Sequence, residues 1–395
     1  MVLRAWAVEH RAPVEQVAAA LERVGGWFSD RTPIDGAAPD PATAPTLTTA
    51  PTLTDDEWVA LLGADGEQLE ELCAHADAAR RAVTDPDALT FVVNRNLDTA
   101  VAAGLTGRPR LEDLVVEAHD LGATEICMQG PLPADAPADG YLRLIERIAA
   151  AAPVHLHALR PPEIRDAASR MGIGIDEFLQ RARSAGLGSV PGTAAQVLDD
   201  EVRRVLAPPG VPAAADQWIE VIEAAHAAGL FSTATLLYGH VETPAHQVAH
   251  LRRLCEIQSR TGGFSELILM PMVADNTPPH LRSHAVRTAA PRESRAVHAV
   301  ARLLTLGAFD HVQVAWTKLD PDVVDDVLLG GVDDIGGMLL DGELLPTAGA
   351  EAGRVLDPAA LTGFAERAGR VPRRRTTAYR QPDAGQLLRL DRVGR

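Results

Sequence analysis

The chain has 395 residues, 46% of them hydrophobic, and a formal net charge of −17. That length and apolar content can bury a full core, which excludes overall disorder. The negative charge repels phosphate backbones and anionic lipid surfaces, so nucleic acid and membrane partners find no electrostatic footprint here.

The first residues, Met1-Val-Leu-Arg-Ala-Trp-Ala-Val-Glu-His10, lack the uninterrupted apolar segment of a signal peptide. No run of about eighteen apolar residues occurs, so a cytoplasmic protein is expected. Residues 1–31 read as a helical segment. Between Pro13 and Phe28 the apolar positions Val17, Ala20, Leu21, Val24 and Phe28 keep a helical period, a face that could dock on the rest of the chain or on another protein. Residues 32–53 are crowded with Pro, Ala and Thr, which disfavour helix and strand alike, and read as a linker. Residues 54–87 form a helical lead-in, in which Asp55 to Val83 carries acidic residues early and Arg80 and Arg81 late, as the helix dipole prefers.

From 88 to 370, short β-branched or apolar runs alternate with longer amphipathic segments such as Gln217–Ala228 and Pro244–Arg260. The runs are Leu89–Asn94, Glu125–Gln129, Val154–Leu159, Ser189–Gly192, Ser232–Leu237, Glu266–Met270, His311–Trp316 and Asp334–Leu339. Every connection is long enough for a crossover, so the pattern predicts an α/β fold, a (βα)8 TIM-type barrel with an N-terminal helical appendage. Residues 371–395 form a basic tail around Arg373-Arg-Arg375, part of it explained by structural packing and the rest by a solvated end or a seam for an acidic protein partner.

Barrels place chemistry where the strands end, because the loops there converge. That rule collects Asn94, Arg95 and Asn96, then Gln129, His157, Gly192 and Thr193, then Tyr238, His240 and Glu242, then Met270 to Asn276, and finally Trp316 and Lys318. His155 and His157 share a strand face and, with His240 and Glu242, could ligate zinc or iron. A polar pocket, or a buried histidine bonded to a carbonyl, explains the same residues, and no metal site is predicted. Lys318, the only lysine in the chain, could form a Schiff base if desolvated, or hold an anionic or carbonyl group. Cys73, Cys127 and Cys255 lack metal-type spacing and read as buried thiols.

Several blocks carry a resemblance that spans roughly residues 53 to 380. They are Phe91-Val-Val-Asn-Arg-Asn96, Leu121-Gly-Ala-Thr-Glu-Ile-Cys-Met-Gln-Gly130, Ser189-Val-Pro-Gly-Thr-Ala-Ala195, Tyr238-Gly-His-Val-Glu-Thr-Pro244, Thr261-Gly-Gly-Phe264, Arg295-Ala-Val-His-Ala-Val-Ala-Arg-Leu-Leu304, Trp316-Thr-Lys-Leu319 and Arg375-Thr-Thr-Ala-Tyr379. In these the chain resembles the radical S-adenosylmethionine enzymes that make the deazaflavin precursor FO, specifically the FO synthase subunit that couples tyrosine to ribitylaminouracil. The resemblance implies the barrel, a place in coenzyme F420 biosynthesis, a [4Fe–4S] cluster held by C-x3-C-x2-C after the first strand, and S-adenosylmethionine.

The chain departs from that pattern around one site. Leu97 to Pro109 contains no cysteine, the turn Gln129-Gly-Pro-Leu-Pro-Ala134 carries two prolines, and the late segments read Asp333-Asp-Ile-Gly-Gly337, Asp341-Gly-Glu343 and Ala350-Glu-Ala-Gly353 without the family's histidine. The expectation is therefore a cluster-less homologue, a pseudoenzyme in the radical sense. No cofactor is expected, the [4Fe–4S] cluster is predicted absent, and S-adenosylmethionine binding is in question. A ribitylaminouracil- or deazaflavin-like ligand would sit among Asn94, Arg95, Gln129, His157, Thr193, Tyr238, Asn276 and Trp316. The alternative is a repurposed enzyme, with His240, Glu242 and Lys318 as catalytic groups for acid–base or metal-assisted chemistry.

Overall fold

The computed structural model describes residues 10–29, 49–105, 109–208, 214–273, 279–281, 289–340, 344 and 355–382. Of the expectations above, Asn276, Asp341 to Glu343, Ala350 to Gly353, most of the 32–53 linker and the tail beyond residue 382 lie outside the described residues.

Three helices open the described chain, Val14–Ser29, Asp55–Leu62 and Gly66–Val83. Val17, Ala20, Leu21 and Val24 of the first are buried in one core with Trp58, Leu61 and Leu72 of the next two. The apolar period thus faces the rest of this chain. Arg292, at the start of helix Pro291–Leu304, reinforces the seam by donating to the carbonyls of Leu62 (3.2 Å), Ala64 (2.8 Å) and His10 (3.0 Å). The second helix starts at a capping box in which Thr54 Oγ1 accepts from Glu57 N and Glu57 accepts from Thr54 N at 2.7 Å. Replacing Thr54 with alanine is expected to cost about 1 kcal/mol, measured as a lowered urea midpoint with an unchanged slope.

The strands are β1 (Ala88–Val92), β2 (Asn94–Asp98), β3 (Glu125–Gln129), β4 (His155–Ala158), β5 (Ser189–Val190), β6 (Phe231–Tyr238), β7 (Phe264–Pro271), β8 (Val312–Val314), β9 (Asp334–Gly337) and β10 (Val371–Arg374). They form one ten-stranded sheet in the order β10-β1-β9-β8-β7-β6-β5-β4-β3-β2, parallel at every pairing. Every connection after β2 carries at least one helix, and β6 and β7 are largely buried runs.

This corrects the expected eight strands in two places. The first run divides at Val93, whose carbonyl accepts from both Thr124 N and Glu125 N, because its neighbour there changes from β10 to β3. On its other side the run keeps β9, through Met338 N to Val92 O and Leu340 N to Asn94 O. Residues 371–374, placed with the basic tail from their charge, form β10 against β1 from Ala88↔Val371 to Phe91↔Arg374. The fifth strand is shorter than expected because Pro191 has no N–H to continue the ladder. After β8, Trp316–Lys318 makes a 3-10 turn.

Candidate functional site

The strand ends wrap a cavity of about 630 Å³. Alternation decides what faces it. Asn94, Asn96 and Asp98 line it from β2; Glu125, Cys127 and Gln129 from β3; Glu266, Ile268 and Met270 from β7. His157 enters from β4, beside Cys127 in the register. Trp316 and Lys318 enter from the turn after β8.

Hydrogen bonds pin most of the expected ligand-contacting groups. Asn94 Nδ2 donates to Asn96 Oδ1 at 3.0 Å, and a Cβ on Gly337 would collide with Asn94 Oδ1, so glycine lets that amide lie against β9. Gln129 Nε2 meets Cys127 Sγ at 3.1 Å, and Thr193 Oγ1 donates to Gln129 Oε1 at 3.2 Å, joining the ends of β3 and β5. Trp316 Nε1 donates to Gly337 O at 3.0 Å. His155 Nε2 and His157 Nδ1 both meet Ser189 Oγ, at 2.7 and 2.6 Å. Burial pushes His157 down to about 3, so its imidazole is neutral at physiological pH.

Other expected residues face elsewhere. Arg95 has the opposite strand parity and bonds Leu114 O (2.7 Å) and Glu117 Oε2 (2.6 Å) in the helix layer. Tyr238 is fully buried, donates to Ser294 Oγ at 3.0 Å and meets His298 edge-on, away from the cavity. Glu242 accepts from Gly239 N (2.7 Å), His240 N (2.9 Å) and Gln247 Nε2 (2.8 Å), while His240 Nε2 meets Leu237 O at 2.8 Å. This pair ties the turn after β6 to helix Pro244–Thr261 and does not line the cavity. Of the three expected catalytic groups, Lys318 alone lines it. Among the described residues no group of three His, Cys, Asp or Glu could hold a metal ion.

The cavity floor was not anticipated from the sequence. Arg375 lies just beyond β10 and is buried with Asp334, Nη2 to Oδ1 being 2.8 Å and Nε donating to the second oxygen. Asp334 also accepts from Thr90 Oγ1 (2.6 Å) and Gly336 N (2.7 Å). The guanidinium lies 3.9 Å over the Tyr379 ring, which stacks on His311. Thr377 Oγ1 donates to Glu125 Oε2 at 2.7 Å. Glu266 is 4% exposed, and its Oε2 is buried with no hydrogen-bond partner. Burial, aided by Asp334 and Glu125 and opposed by Arg375, pushes its carboxyl up to about 7. Strand parity could have found Glu125, four residues before Gln129 on one face. A lone acid inside the apolar run Phe264–Pro271 was the available signal for Glu266.

No protein-family model matches the chain. HydG, the FeFe-hydrogenase maturase of Carboxydothermus hydrogenoformans, has a similar fold, with a TM-score of 0.62 at 14% identity over 93% of this chain and 81% of that one. The fold and site thus define a parallel α/β protein with a polar cavity at its strand ends. The FO synthase of Mycobacterium leprae is 41% identical over 345 residues, 82% of this chain but 40% of that protein, so the chain spans about two fifths of it. The 5-amino-6-(D-ribitylamino)uracil–L-tyrosine 4-hydroxyphenyl transferase of Methanothermobacter thermautotrophicus is 34% identical over 83% of this chain and 94% of its own length. The chain belongs to this transferase family.

Membership corrects one expectation. The absence of any cofactor, with the [4Fe–4S] cluster missing and S-adenosylmethionine binding in question, is overturned: this is the family whose resemblance implied both, and neither the relatives nor the shared fold sets a cofactor-free branch apart. The thiols of this chain, however, do not fit a three-cysteine cage. After β2, Asp98 caps the short helix Thr99–Gly104, Val101 N donating to its Oδ1 at 2.9 Å. Cys127 faces the cavity, whereas Cys73 and Cys255 sit in outer helices, where burial pushes their thiols up to about 11 and about 12. No described helix is long and apolar enough to cross a membrane.

Proposed function

We propose that the cavity binds 5-amino-6-(D-ribitylamino)uracil or a deazaflavin-like product built from it, and that the chain acts in FO formation within coenzyme F420 biosynthesis. The observation that carries the reading is the cavity itself, about 630 Å³ and lined by amides, hydroxyls, an indole and an ammonium group, in the size range and mixed polarity of small-molecule sites. Asn94, Gln129 and Thr193 suit ribityl hydroxyls. Trp316, Ile268 and Met270 offer apolar surface to a planar ring, and Lys318 offers a donor to a carbonyl. His157, neutral, completes the wall. We also infer that the ten strand segments close as an eight-membered (βα)8 barrel, because the run 88–98 bonds β9 on one side and β3 on the other.

The reading is tested by isothermal titration of the full chain with 5-amino-6-(D-ribitylamino)uracil. Binding is expected in the micromolar range, with Gln129→Ala weakening it about tenfold, equal to ~1.4 kcal/mol, and Tyr238→Phe leaving it unchanged. No heat and no retention of ligand at millimolar concentration would overturn the assignment.

A further inference from the structure

Glu266 poses a problem that the proposed ligand can solve. Its side chain comes off β7 into the cavity floor, and Oε2 has no protein partner. The charged and titratable groups around it are Glu125 from β3, Asp334 from β9, Arg375 from the segment after β10, and His311 just before β8. Arg375 is the one guanidinium among them, and it is taken up by two hydrogen bonds to Asp334 and by its stack on Tyr379. A third carboxylate beside Asp334 and Glu125 would be a buried negative charge without a counter-ion. A neutral carboxyl removes that cost, but it then carries a donor on one oxygen and an acceptor on the other, and Oε2, in whichever role, has no hydrogen-bond partner in the protein.

A uracil ring has two kinds of edge. The imide edge sets a ring N–H beside a ring carbonyl, donor next to acceptor. The edge bearing the 6-ribitylamino group sets two N–H donors together. A carboxylic acid complements the first, a carboxylate the second. We propose that Glu266 is a specificity-determining residue that reads the imide edge of a pyrimidine ligand at the cavity floor, its O–H donating to a ring carbonyl while its C=O accepts from the adjacent ring N–H. This rests on the ligand reading above and adds the orientation: ring inward against the floor, ribityl chain outward past Gln129 and Thr193. Burying a donor–acceptor pair that only an imide satisfies would also discriminate against ligands lacking it.

The test is titration of the full chain with 5-amino-6-(D-ribitylamino)uracil at pH 6.0, 7.0 and 8.5, using wild type, Glu266→Gln and Glu266→Ala, each checked for fold by circular dichroism. Wild-type affinity is expected to fall about tenfold per pH unit once Glu266 ionises. E266Q keeps a donor beside an acceptor, so it should bind within about threefold of wild type at pH 6.0 with no such fall, whereas E266A should lose about tenfold there. The slope left in E266A reports the ligand's own ionisation. Affinity that rises with pH, or E266Q as weak as E266A at pH 6.0, would overturn the imide-edge reading. Binding indifferent to both substitutions would overturn it while leaving the ligand assignment standing. No binding by wild type at any pH would sink both.

Discussion

Replacing Arg375 with methionine is expected to lower stability by about 3–5 kcal/mol, the cost of leaving a buried carboxylate without its counter-charge. Asp334 is fully buried and would retain only Thr90 Oγ1 and Gly336 N as donors. The guanidinium also closes the floor by stacking on Tyr379, which in turn covers His311. The segment it belongs to follows β10, the strand that pairs with β1 from Ala88 to Phe91, and Arg375 N donates to Phe91 O at 2.8 Å. Loss of the ion pair should therefore loosen the sheet where it returns to its first strand. Urea unfolding measures this. The double variant Arg375→Met with Asp334→Asn should recover part of the loss, since no charge is then stranded. A single variant within about 0.5 kcal/mol of wild type would show that the floor does not depend on the pair.

Glu266→Gln is expected to stabilise the protein at pH 8.5 relative to pH 5, by on the order of 3 kcal/mol when each is compared with wild type. An unfolded glutamate releases its proton near the ordinary value of 4.5, whereas burial holds the native carboxyl up to about 7. Between those values the native state binds more protons than the unfolded state, so wild-type stability is full below about 4.5, declines as pH rises and has lost this contribution above about 7. Glutamine cannot ionise and escapes the decline. Urea midpoints of both proteins at the two pH values settle the matter. An equal offset at pH 5 and 8.5 would mean that Glu266 titrates as an ordinary surface carboxyl.

The strands were legible because alternation and β-branched content mark them locally: β3 matches its predicted bounds, and β6 and β7 differ from theirs by no more than two residues at either end. The split at Val93 was not legible, since it follows from a change of neighbour contributed by residues about 280 positions away, which no local pattern encodes. The same reason explains the misplaced site residues. Tyr238 and His240 stand at the end of β6 and just past it, as the barrel rule asks, whereas Arg95 lies inside β2 because that strand runs on to Asp98; parity or a turn's own hydrogen bonds point all three away from the cavity. Arg375 was read as part of a basic tail that packing explains in part, but its partner Asp334, which buries it, was not legible.

By itself the sequence determined the family, through ordered blocks dense enough to survive at 34–41% identity, together with the alternation of strands and helices and the run from Leu97 to Pro109 without cysteine. Only the tertiary structure decided which polar residues meet. Spacing sets the face of a strand on which a side chain lies, but Glu125, Glu266, Asp334 and Arg375 come from four separate segments. The floor of Glu125, Glu266 and Arg375, with Asp334 paired to the last of them, exists only because a parallel sheet curls until those segments converge.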